Sequence, residues 1–199
     1  MTQNGVLFYQ RMGMRYCPKM WCCHHAKSPR IMMAFDLDET LFYAKRVEHS
    51  VQEHLRYRHL PPEFISHATA SGTIKISEEN YTFHFLNVSE WQRLFLRLIK
   101  NDIPIILITN GYWYKDDTID RLDSAFNIAL PPSTHFFNRV NNKPNDLRYY
   151  FPHDHICLLD DKNDHLQFAI KQDIDFIHVK TKAIPMDLNS HIAAAHRWL

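Results

Sequence analysis

Three continuous apolar runs, each passing into polar residues, dominate the pattern of this chain. They are "RIMMAFDLDETLF" from Arg30, "IPIILITNG" from Ile103 and "HICLLDDKND" from His155. A strand with one wet face alternates apolar and polar residues, whereas an unbroken run fits a strand covered on both faces. Each run ends in carboxylates or a hydroxyl, so its C-terminal end is expected to deliver polar side chains to a loop.

Between and after these runs the period changes to that of helices. In "SEWQRLFLRLIKN" the residues Trp91, Leu94, Phe95 and Leu98 recur at i, i+3, i+4 and i+7, which predicts an amphipathic helix with Ser89 as its N-cap. Residues 114–127 suit a second helix, "DLRYYF" a helical turn or more, "HLQFAIKQ" another helix and "DLNSHIAAAHRWL" a closing one. "THFFN" and "DFIHV" read as short strands. "GTIKISEENYTFHFL" holds two β-rich runs around the polar tetrad Ser77 to Asn80, a hairpin signal. The spacing from Ala44 to about Tyr57 predicts a further helix, stopped by "LPPEF".

Apolar strands alternating with helices predict an α/β fold: a Rossmann-like three-layer sandwich with a mostly parallel central sheet. The core is expected over residues 31–199, with a small helical and hairpin cap insert at about 43–86. Residues 1–30, which lack a sustained period and end in the turn-like "KSPR", are expected to form an N-terminal extension. Ligands of such folds bind beyond the carboxyl ends of the strands, where this chain places its acids.

Composition narrows the picture without naming a partner. The 199 residues are 45% hydrophobic and 23% charged, enough for one sizeable core but cramped for two domains. A formal net charge of +1, with Lys and Arg spread along the chain, offers no basic stripe for nucleic acid. No apolar run reaches the roughly 18 to 20 residues that span a bilayer, and the first 30 residues lack a secretory stretch, so a cytoplasmic location is expected. Cys17, Cys22 and Cys23 crowd beside His24 and His25, while Cys157 stands apart. Thiolate and imidazole are zinc ligands, but a second ligand pair at standard spacing is missing, so a reduced, incidental cluster is expected. The 14 histidines are scattered, with no helical pair beside a glutamate.

Four segments carry candidate chemistry: "DLDET" at 36–40, "TNG" at 109–111, "NKP" at 142–144 and "LDDKND" at 159–164. Hydrolysis of a phosphomonoester needs an in-line nucleophile, positive charge for the equatorial oxygens and an acid for the leaving group. A carboxylate serves as nucleophile because the acyl-phosphate it forms is open to water. In extended chain Asp38 points to the same side as Asp36, which sets a second carboxyl beside the first. Gly111 permits close approach of backbone to an anion. The aromatics at 112–114 either line a substrate mouth or pack a helix start.

In order, strand context and chemistry these four segments resemble the haloacid dehalogenase-like hydrolase superfamily, whose members are mostly phosphatases. The resemblance spans about residues 31–180. It implies a magnesium-dependent phosphatase in which Asp36 is the nucleophile and forms an aspartyl-phosphate. Asp38 would protonate the leaving oxygen and then activate water. Thr109 and the amide of Asn110 or Gly111 would bind phosphate. Lys143 would pair with nucleophile and phosphate, with Lys162 and Arg139 as rivals in sequence. Mg²⁺ would be held by the Asp36 carboxylate, the main-chain carbonyl of Asp38 and the Asp160/Asp161 pair. Asp161 is favoured as the direct ligand, against an alternative in which Asp160 ligates and Asp164 supports it. Thr40 supports the loop or is an ordinary cap.

There is room for only one helix and one short strand between Gly111 and Lys143, so any cap is the small insert at 43–86 and the site is open. The substrate is expected to be a phosphorylated small molecule or a phosphoprotein. A catalytically idle, partner-binding relative and a phosphotransferase are the competing functions, and the oligomeric state is not set by the sequence.

Overall fold

The computed structural model describes residues 28–46, 73–78, 81–179 and 186–199. Residues 1–27 of the expected N-terminal extension, with its Cys and His cluster, and the region from 47 to 72 lie outside these residues. Five strands build the central sheet: β1 (Ile31–Asp36), β5 (Ile105–Ile108), β6 (His135–Phe137), β7 (His155–Asp160) and β8 (Asp175–His178). Their order is β6-β5-β1-β7-β8, and every neighbouring pair is parallel. This is the α/β, Rossmann-like sandwich that the three apolar runs predict, with two of those runs flanking the first.

Both faces of the sheet are covered, which is why the runs do not alternate. Met33 and Phe35 of β1 point into one core with Trp91, Leu94, Phe95 and Leu98 of α1 (Val88–Lys100). Leu122 and Phe126 of α2 (Lys115–Phe126) and Ile192 of α5 (Met186–Trp198) close that side. Met32 and Ala34 point the other way, toward Leu147 of α3 (Lys143–Tyr150) and Ala169 of α4 (Asp164–Lys171). Each buried Leu, Ile or Phe contributes about 1.5–3 kcal/mol relative to exposure, so the sandwich is held chiefly by these two layers. Among the described residues no helix is long and apolar enough to cross a membrane.

The hairpin forms as expected, from β3 (Thr73–Ser77) and β4 (Tyr81–Leu86). It is joined by β2 (Tyr43–Arg46) in a separate antiparallel sheet of order β2-β4-β3. The helix expected from Ala44 is therefore corrected at its start: residues 44–46 are strand, because β4 offers them a ladder that outweighs local period. The remainder of that expected helix lies outside the described residues. Helix α1 begins earlier than expected, after Asn87, which is left-handed with φ 52°. Asn tolerates that conformation better than most residues, so it turns the chain where Ser89 was expected to cap it.

Candidate functional site

The sheet register brings the four segments to one edge. Asp36, the last residue of β1, pairs with Ile108 of β5, and Phe35 pairs with Leu159 of β7. Asp36, Thr109 and Asp160 therefore leave the sheet side by side. After β1 the chain turns sharply: the Leu37 carbonyl accepts from the amides of Thr40, Leu41 and Phe42 at 3.3, 3.0 and 3.2 Å. Buried Leu37, Leu41 and Phe42 anchor this turn in the core. The loop after β5 is fastened to the segment after β6, because Val140 N donates to the Thr109 carbonyl at 3.0 Å and Arg139 N to that of Gly111 at 3.2 Å.

Lys143 opens α3, whose N-cap Asn142 accepts from the amide of Asn145 at 3.3 Å. Pro144 suits the first turn, where its missing N–H is no loss. The lysine is 1% exposed, and its ammonium lies 2.6 Å from Asp36 Oδ1 and 2.7 Å from Asp160 Oδ2. Burial pushes its pKa down, but the charges of Asp36 and Asp160 outweigh that and hold it above the usual lysine value. A buried ammonium between two carboxylates stays charged. The rivals are elsewhere: Lys162 lines the cleft from an exposed position, and the guanidinium of Arg139 lies 4.5 Å from the centre of the Tyr112 ring.

Asp160 and Asp161, adjacent in sequence, have different surroundings. Asp160 is fully buried: Oδ2 meets Lys143 and, at 2.9 Å, His165 Nδ1, while Oδ1 accepts from the Lys162 amide at 2.7 Å. Burial raises its pKa, but His165 and Lys143 outweigh burial and hold it below the usual carboxylate value. Asp161 instead lines an open, polar cleft of about 370 Å³ with Asp36, Asp38, Glu39, Asn110, Lys143, Lys162, Asn163 and Asp164. Its carbonyl accepts from His178 Nε2 at 2.9 Å, which pins this end of β7 to β8. Asp164 stands exposed on the rim.

Carboxylate oxygens of Asp36, Asp160 and Asp161 all lie within 4.8 Å of one another. Burial drives Asp36 well above the ordinary carboxylate pKa despite Lys143, and it raises Asp161 as well, against a compensating hydrogen bond with Asp36. Carboxyl groups crowded this closely need a proton or a cation among them. A small divalent cation supplies that charge, and a donor set of oxygens without thiolate or imidazole suits magnesium. The carboxyl groups of Asp36, Asp160 and Asp161 therefore form a donor set that a divalent cation such as Mg²⁺ would fit.

Asp38 is bound from the side. Its Oδ2 accepts from Thr109 Oγ1 at 3.0 Å, and the indole Nε1 of Trp113 reaches both Oδ1 and Oδ2, at 3.0 and 2.9 Å. Burial raises the Asp38 pKa, with Trp113 and Thr109 opposing it. Thr109 is fully buried and also accepts from the Gly111 amide at 2.8 Å, so its hydroxyl proton goes to Asp38, while Asn110 faces the cleft. Thr40 lies over Asp36 at a long 3.4 Å.

Sequence reasoning missed Trp113 and His165 as parts of this site. The signal for Trp113 was its place two residues after the glycine of "TNG". For His165 it was a histidine in the first turn of the helix after β7, where side chains lean back toward the strand end.

The parallel five-stranded sheet flanked by helices is the α/β layout expected from the sequence, and the segments at 36–40, 109–111, 142–144 and 159–164 meet at one edge of it. No protein-family model and no curated protein matches the sequence. Among solved structures, the chain is similar to Fcp1, an essential RNA polymerase II CTD phosphatase, with a TM-score of 0.40 and 12% identity over 84% of this chain and 49% of that one. It is similar to a fission yeast Fcp1 variant bound to beryllium fluoride, with a TM-score of 0.43 and 11% identity over 98% of this chain and 54% of that one. A hypothetical protein from Xanthomonas campestris gives a TM-score of 0.40 and 14% identity over 94% and 95% of the two chains. The chain spans about half the length of the two Fcp1 structures.

Proposed function

We propose that this chain is a magnesium-dependent phosphatase of haloacid dehalogenase-like type, acting on a phosphomonoester through an aspartyl-phosphate on Asp36. The observation that carries this reading is the Asp36 carboxylate, held at the tip of β1 by Lys143 at 2.6 Å and within one cation's reach of Asp161. A structural ion pair would need no third and fourth carboxyl at the same edge. The cleft is polar and open, which suits a charged phosphoryl head and leaves the rest of the substrate outside.

In the reaction, Asp36 attacks phosphorus in line as the bond to the leaving oxygen breaks. Asp38 gives its proton to that oxygen, leaving a free alcohol, an acyl-phosphate on Asp36 and an ionised Asp38. Asp38 then takes a proton from the water that attacks the phosphorus, which releases phosphate and restores both carboxyl groups. Lys143 stays charged throughout and faces the oxygens on which charge builds. Bound Mg²⁺ would neutralise phosphoryl charge and ionise the nucleophile. Asn110, at the rim, is positioned to hold the transferred group.

The substrate is a phosphorylated small molecule or a phosphoprotein, and the cellular setting proposed is the cytoplasm. Purified protein is expected to hydrolyse para-nitrophenyl phosphate with Mg²⁺, to lose activity with a chelator and to lose it entirely on Asp36→Asn. Turnover that survives Asp36→Asn, or that requires zinc, would sink the proposal.

A further inference from the structure

The indole of Trp113 has no task in the chemistry just described, yet its N–H is spent wholly on Asp38. It spans both carboxyl oxygens, at 3.0 and 2.9 Å, and so fixes the torsion of the carboxyl plane as a single-oxygen bond would not. The Thr109 hydroxyl adds a second donor to Oδ2. Oδ2 thus carries two donors and Oδ1 one, which leaves Oδ1 the oxygen with capacity to carry and pass a proton.

The ring itself is clamped. It meets Phe42, Tyr81 and Phe83 edge to face at 5.8, 5.4 and 5.5 Å. Tyr81 and Phe83 belong to the hairpin strand β4. Arg121 of α2 lies 4.3 Å from the centre of the Phe83 ring and 5.9 Å from that of Trp113, and it is ion-paired with Glu78 in the hairpin turn. Asn138 donates to the Trp113 carbonyl at 3.1 Å, so the main chain is held as well.

Gly111 supplies an independent sign that this contact shapes the loop. A Cβ placed there would stand 2.8 Å from Trp113 Nε1 and 2.9 Å from Asp38 Oδ2. The bare glycine lies directly under the Trp113–Asp38 hydrogen bond, and any other residue would press on it. The close anion approach that glycine allows is, in this structure, the approach of Asp38.

We infer that Trp113 is a positioning residue that orients the Asp38 carboxyl for proton transfer to the leaving group, with the β3–β4 hairpin as its brace. The inference rests on the phosphatase reading above and deepens it. The small antiparallel sheet then has a role in the chemistry: it holds the ring that holds the acid.

Proton donation matters most when the leaving group is a poor one. An alkoxide needs its proton as the P–O bond breaks, whereas para-nitrophenolate departs nearly unaided. The test compares kcat/KM, which reports on leaving-group departure, for an alkyl phosphate and para-nitrophenyl phosphate in the wild type, Trp113→Phe and Gly111→Ala. Phe keeps an aromatic ring in the clamp and deletes the donor, while Ala at 111 pushes the donor off its acceptor. Both variants are expected to lose at least about tenfold more on the alkyl than on the aryl substrate, in line with the effect of general acids.

Equal losses on both substrates, or none, would overturn the inference, since a merely structural role lowers both alike. If Trp113→Phe does not fold by circular dichroism, Gly111→Ala decides by the same ratio. The wild-type protein and Asp36→Asn serve as controls: a wild type without turnover defeats the phosphatase reading itself, whereas an active wild type with an unchanged substrate ratio in the variants defeats only the role of Trp113.

Discussion

The ammonium of Lys143 lies 2.6 Å from Asp36, joining the first turn of α3 to the tip of β1 at the floor of the cleft, where both side chains are almost fully buried. The lysine also reaches Asp160 at 2.7 Å, so one positive charge holds two strand ends together. Its neighbours decide its behaviour: neither carboxylate has enough water to stand alone.

Replacing Lys143 by Met leaves those carboxylates uncompensated, which typically costs about 3–5 kcal/mol when a buried pair is broken. Thermal unfolding of Lys143→Met in a chelator is expected to show a markedly lower Tm than the wild type. Activity should fall by about 100-fold or more, the usual effect of deleting a group that stabilises charge in the transition state. A Tm within a degree of wild type would mean that the pair is not structural.

Asp161 and Asp164 differ in reach, and Mg²⁺ should distinguish them. A ligand that binds only the folded chain stabilises it, by about 2.7 kcal/mol at a hundred times its Kd. The Tm rise on adding Mg²⁺ is expected to shrink strongly in Asp161→Asn and to persist in Asp164→Asn, which removes an exposed rim carboxylate. The reverse ranking, read by calorimetry, would move the direct ligand to the rim.

Asp154 accepts from the amide and guanidinium of Arg30 at the entrance to β1, with contacts of 3.0, 3.3 and 2.8 Å. Burial opposes ionisation, but Arg30 outweighs it and holds the Asp154 pKa below its ordinary value. A depressed folded pKa gives stability that is present above the unfolded value near about 3.9 and lost as pH falls through the folded one. Asp154→Asn should thus lower Tm slightly at pH 7, and that deficit should shrink as the pH falls below the unfolded value. Because Arg30 is half exposed, the effect should stay below about 1 kcal/mol.

Cys157 sits in the middle of β7 and is fully buried, and burial drives its thiol far above the ordinary cysteine range. The thiolate is the reactive form, so this cysteine should be inert in the native protein. Peptide mapping after native alkylation is expected to find Cys157 unmodified and, after denaturation, modified. Native labelling at that position would show that β7 opens.

Much of the sheet was legible because burial on two faces writes itself as an unbroken apolar run, as in residues 105–108 and 156–159. The helix of Trp91, Leu94, Phe95 and Leu98 was legible for the matching reason, a one-sided stripe at helical period. Residues 44–46 were misread because a short segment's own period is weak evidence once a neighbouring strand offers a ladder. Ser89 was misread because the turn into α1 is made by backbone conformation at Asn87, which leaves no mark in the hydrophobic pattern.

The sequence by itself determined which strands are buried, that each ends in polar side chains, and hence which edge of the sheet carries acids. Only the tertiary structure decided that Lys143 and not Lys162 or Arg139 meets Asp36, that Asp160 contacts His165 while Asp161 faces the cleft, and that Trp113 grips Asp38. The reason is physical. Burial acts on each residue through its local period and is written along the chain, whereas pairing between distant side chains depends on sheet register and helix entry points that no single segment contains.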